Sequence, residues 1–71
     1  MSNYYDATAA AAVARADALA DIALHNPNSN AVTHCVAAVG YAATMLTYGS
    51  ASSAARFRPV LRAILARIGR A

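Results

Sequence analysis

Along residues 4–25 single larger apolar residues are set among alanines and sparse polar side chains, and strict two-residue alternation is never sustained. Alanine has the best intrinsic helix propensity, with Leu and Arg close behind, so the segment predicts a helix. Asn3 is placed to cap it, with Asp6 three residues on. An acid in the first turn also suits the positive end of the helix dipole. The stretch HNPNSN, residues 25–30, ends the helix. Pro27 disfavours helical geometry at Asn26, and the Asn and Ser side chains compete for backbone hydrogen bonds.

A second helix is predicted from a cap at Ser29 or Asn30 to Tyr48, with Gly49 in the left-handed position that closes many helices. It is apolar on two opposed faces. Val32, Val36, Val39, Ala43 and Leu46 share one face. His34, Tyr41, Met45 and Tyr48 share the other, and Gly40, Thr33, Thr44 and Thr47 lie between. GSASS, residues 49–53, marks a second break. Pro59 lies six residues after Ser53, too deep for the first turn of a helix capped there, so a kink or restart is expected. This predicts a short helical turn near 53–57 and a helix over 59–68, whose Val60, Leu61, Ile64, Leu65 and Ile68 fall on one face. The fold class expected is all-α: a small three-helix unit with helices near 4–25, 30–48 and 59–68, in one domain.

Composition adds a reason to expect self-association. Alanine supplies 21 of the 71 residues, while the larger aliphatics, two Met and Phe57 together supply 16. A buried methylene contributes about 0.8 kcal/mol against about 1.5–3 for a whole Leu or Ile, and chains this short rarely reach more than roughly 3–5 kcal/mol from one core. Close helix contact or a second subunit must supply the rest, and a homodimer is expected. The row Ala12, Ala16, Ala20 at i+4 spacing would let another helix approach closely. Gly40, which costs up to about 1 kcal/mol relative to Ala in a helix, is a second candidate for such a seam. The single Cys35 cannot form an intrachain disulfide, and the start MSNYYDATAA lacks the pattern of a secretion signal. A cytoplasmic location is the resulting expectation.

Charge is unevenly placed. Residues 1–25 hold all three Asp and one Arg, residues 26–55 hold neither, and residues 56–71 hold five Arg, for a net charge of +3. Asp17, Asp21 and His25 stand in one i+4 row of the first helix. The acidic row and the basic tail are expected to be complementary, within one chain or between two. Arg56, Arg58, Arg62, Arg67 and Arg70 also form a candidate basic surface, since the guanidinium fork suits oxyanions. That makes a nucleic-acid-binding module the alternative function, through phosphates and without the base-reading residues of a recognition helix. A membrane-surface helix is a second alternative. A membrane span is disfavoured, because the uncharged run is short and interrupted by His and Thr.

Catalytic equipment is not evident. Asp17, Asp21 and His25 would need further ligands from Asp6, His34 or Cys35 to hold a metal. His34 and Cys35 are helix neighbours about 100° apart and cannot pair face to face. No Gly-rich phosphate loop occurs, and neither an enzyme nor a cofactor or metal is expected. The surface expected to bind a partner is the His34, Tyr41, Met45 and Tyr48 face, because Tyr and Met are enriched at interfaces. These features describe a small helical binding protein that regulates or inhibits a larger protein or complex by occupying its surface. Phage- or plasmid-borne inhibitors of host defence, anti-CRISPR proteins among them, are a class of that kind.

Overall fold

A computed structural model describes residues 4–26 and 30–69. Among these residues the chain forms three helices and no strand: α1 (Tyr4–His25), α2 (Ala31–Tyr48) and α3 (Ala51–Arg67). The expected caps Asn3 and Ser29, the turn-forming Pro27 and the basic residue Arg70 lie outside the described residues. Asn30 precedes α2, but its side chain makes no capping hydrogen bond.

The helices run up, down and up. The start of α1 meets the end of α2 where the Tyr5 and Tyr48 rings approach at 5.6 Å. The start of α1 also meets the start of α3, where the Ser50 backbone N–H donates to Asp6 Oδ1 at 2.8 Å. At the far end, Arg67 of α3 reaches Asp17 and Asp21 of α1. The α1–α2 contact is the most extensive, and α3 lies across both.

The core explains how an alanine-rich chain packs. Ala9, Ala12, Val13, Ala16, Ala20 and Ala23 of α1 are buried against Ala31, Cys35, Ala38, Val39, Ala42 and Leu46 of α2. Small side chains on both sides let the two backbones come close, which recovers by dispersion what their methyl groups lack in area. The row Ala12, Ala16, Ala20 packs inside the chain, where Ala16 and Ala20 are 0% exposed and Ala12 is 7% exposed. Leu61 and Ile64 of α3 complete the core, with Phe57, Leu65 and Ile68 packed against it.

The core face of α2 differs from the valine face expected. Val39 and Leu46 are on it, but Val36 is 41% exposed and Val32 and Ala43 are only half-buried. The buried ridge is rotated toward Ala31, Cys35, Ala38 and Ala42, because α1 presents alanines and takes the smallest side chains opposite. Gly40 lies on the outer side of α2, with open space where a Cβ would project. No helix of the chain uses it for close approach.

The third segment also departs from expectation. The helix runs unbroken from Ala51 through Pro59, without a restart. Its cap is Ser50, not Ser53: the Ser50 hydroxyl oxygen accepts from the Ser53 N–H at 3.2 Å. Proline removes the N–H that would pair with the Ala55 carbonyl. Both Ala55 and Pro59 are exposed, so water can take that carbonyl and the ladder continues on the core side. The expected left-handed conformation at Gly49 is not adopted either. Gly49 is extended (φ −91°, ψ −163°), while Gly69, after α3, has the left-handed φ of 77°.

Candidate protein-binding groove

With α3 laid on one side of the α1–α2 pair, the other side is open. On α1, Tyr4, Ala11, Arg15 and Ile22 recur at helical spacing, and on α2 His34, Tyr41 and Tyr48 recur at i+7. Between the middle parts of these rows lies a groove of about 460 Å³ lined by Thr8, Ala11, Ala12, Arg15, His34, Ala37, Ala38 and Tyr41. Its floor is alanine methyl groups, and its polar groups are a guanidinium, an imidazole, a hydroxyl and a phenol. Tyr41 is 50% exposed at the rim.

Aromatic rings continue this surface toward one end of the molecule. Tyr4 and Tyr5 meet edge to face with centroids 5.4 Å apart, and Tyr5 in turn contacts Tyr48. Tyr48 is 62% and Tyr4 69% exposed, so the cluster is held in place yet largely open to solvent. Of the four residues expected on the tyrosine face, His34, Tyr41 and Tyr48 are exposed. Met45 is half-buried and packs on the core. The α1 side of the surface, Tyr4, Thr8, Ala11, Arg15 and Ile22, was not singled out from sequence. Its signal is the recurrence of these residues on the side of α1 away from the Asp17 and Asp21 row.

The arginines are divided among different tasks. Arg67 Nη1 donates to Asp17 Oδ1 at 2.7 Å, and its Nη2 donates to Asp21 Oδ1 at 2.8 Å and to the Asp17 carbonyl at 3.3 Å. The bond to Asp17 foremost holds the Arg67 proton more tightly than usual; desolvation opposes it, and the Asp21 and Asp17 charges add to it. The expected complementarity of acidic row and basic tail is thus realised within one chain. Arg56 lies over the Phe57 ring at 5.1 Å. Arg58 and Arg62 form a short row beside the α2–α3 groove with Val39, Ala43 and Leu65. Among the described residues the arginines of α3 are therefore divided between different faces.

The remaining candidates are accounted for locally. His25 Nδ1 lies 2.8 Å from the Asp21 carbonyl. Among the described residues no group of three His, Cys, Asp or Glu is placed to hold a metal ion. Cys35 is wholly buried, and its Sγ–H donates to the Ala16 carbonyl at 3.3 Å, whereas His34 is exposed on the groove side. Burial raises the Cys35 thiol above its ordinary value, partly offset by the Arg67 charge and reinforced by Asp17. Among the described residues no helix is long and apolar enough to cross a membrane. The apolar stripe of α3 is turned into the core, leaving Val60 as its one exposed large aliphatic among the described residues.

No protein-family model, characterised protein or solved structure matches this chain.

Proposed function

We propose that the chain is a non-enzymatic helical binding protein that regulates or inhibits a larger protein or complex, using the α1–α2 groove and its tyrosine rim. The observation that carries this reading is the half-exposed Tyr41 ring beside an alanine floor, on a helix whose opposite side is spent on the core. Tyr41 stands half-exposed at the groove rim, and Tyr4 and Tyr48, although joined through Tyr5, keep most of their surface in solvent. Covering half of one tyrosine removes on the order of 100 Å² from water, about 2 kcal/mol at 25 cal/mol/Å². Tyr41 beside the alanine floor, with Tyr4 and Tyr48 farther along the same surface, resembles the aromatic anchors that dominate binding at protein interfaces.

The test is affinity capture from the native host with the intact chain and with Ala37→Arg, which fills the groove from an exposed helix position. A complex captured by the parent, lost with Ala37→Arg and retained when Arg58 and Arg62 are both changed to Glu supports the reading. Loss with the arginine changes alone refutes it. Capture of a defence nuclease would make the chain an inhibitor of host defence, and any other complex would make it a regulator of that complex.

The nucleic-acid reading draws support from Arg58 and Arg62, which are exposed and without ion pairs among the described residues. With Arg67 committed to α1, few phosphates could be neutralised at once, so binding would be weak and strongly salt-dependent. Titration with duplex and single-stranded DNA at two salt concentrations separates the readings. Homodimerisation is checked by light scattering at micromolar concentration, where a dimer gives twice 7.3 kDa.

A further inference from the structure

The occupant of the groove can be specified by charge, an inference that rests on the groove reading above. We infer that it takes an amphipathic helix of another protein, carrying acidic side chains beside an aliphatic face, in preference to a second copy of this chain. The whole chain has three acidic side chains, Asp6, Asp17 and Asp21. All three are turned toward α3. Asp17 and Asp21 hold Arg67 at 2.7 and 2.8 Å, and Asp6 accepts the Ser50 N–H at 2.8 Å.

The ionisable groups on the groove side have a different character. Arg15 from α1 and His34 from α2 line the groove with Tyr41. Arg15 is exposed and makes no ion pair among the described residues. A second copy brings a like net charge of +3, and its Asp17 and Asp21 already share Arg67. An acidic helix meets Arg15 with nothing to give up. The alanine floor admits Leu- or Ile-sized side chains from a helix laid along the groove, the mode in which apolar anchors recur at i, i+3, i+4 and i+7. A net charge of +3 steers an acidic partner toward the protein and disfavours a basic one.

The test uses two fluorescent helical peptides with the same Leu face at i, i+3, i+4 and i+7, one flanked by Glu and the other by Lys. Polarisation titrations are run at low and physiological salt with the parent protein, Arg15→Glu and Ala37→Arg. Both substitutions are at exposed helix positions, and circular dichroism verifies the fold. The Glu peptide is expected to bind the parent about tenfold more tightly than the Lys peptide at low salt. That advantage shrinks with salt and disappears in Arg15→Glu, while Ala37→Arg abolishes binding of either peptide. Equal binding of both peptides that Ala37→Arg blocks overturns the acidic preference and leaves the groove reading standing. Binding indifferent to Ala37→Arg, or no binding by either peptide, overturns both. A dimer mass that Ala37→Arg returns to monomer makes a second copy the occupant and overturns the inference.

Discussion

A Cβ added to Gly49 would run into the Asp6 carboxylate and crowd the Met45 carbonyl at 3.3 Å, whereas one added to Gly40 would meet open space. These two positions make opposite predictions. Gly49→Ala displaces the acceptor of the Ser50 N–H and costs about 1–2 kcal/mol, the price of one hydrogen bond with a partly buried donor left unmade. Gly40→Ala stabilises the isolated chain by about 0.4–1 kcal/mol, because Ala loses less backbone freedom on folding. Urea denaturation of both variants checks the pair, and the reverse order would contradict the packing described for the start of α3. Cys35 carries a second prediction at this scale. Its thiol is buried and raised chiefly by desolvation, so the folded chain should resist iodoacetamide at pH 8 and react once unfolded in urea. Because the folded value lies above the unfolded one, the thiol's contribution to stability is present below the ordinary thiol range and is lost as pH rises through the folded value. A native chain alkylated as fast as the unfolded one would contradict this burial.

At the scale of elements, α3 is held by two different kinds of contact. Leu61 and Ile64 are buried in the core, while Arg67 is a clamp of exposed ion pairs with its side chain 38% exposed. Ile64→Ala is therefore expected to cost about 2–5 kcal/mol. Arg67→Ala should cost much less, and its effect should fade with added salt, because exposed ion pairs are screened. Thermal unfolding of the two variants at low and high salt decides between them. Equal losses, unaffected by salt, would mean that the clamp holds α3 as strongly as the core does. The helix itself shows what local sequence can and cannot say. The run from Pro59 to Ile68 was legible from its apolar spacing, but the break placed before Pro59 was not real. A helix can pass through a proline where the freed carbonyl can be solvated, and here Ala55 and Pro59 are both exposed. The start of α3 depended on Ser50 and on Asp6 from a helix 44 residues away in sequence, a long-range contact that local patterning does not contain.

Across the whole molecule, three helices were readable because alanine-rich segments between Asn, Ser, Gly and Pro clusters have few other conformations open to them. The rotation of α2 was less readable. A helix apolar on two faces has no single preferred side, and the choice fell to α1, whose alanines selected the small ridge Ala31, Cys35, Ala38 and Ala42. That same choice turned His34, Tyr41 and Tyr48 outward and joined them to Tyr4, Thr8, Ala11 and Arg15, which sequence reasoning had not grouped. The result is a molecule with an α3 side that engages all three acidic side chains and an α1–α2 side that keeps an aromatic rim and an arginine with no ion pair among the described residues.

The most direct measurement of that division is an amide chemical-shift map of the isotopically labelled chain during titration with the Glu-flanked Leu-face peptide. The groove account predicts that shifts concentrate at Thr8, Ala11, Arg15, His34, Ala37 and Tyr41 while the Arg58 and Arg62 amides of α3 stay where they are. Shifts confined to α3, or spread evenly over the chain, would contradict it.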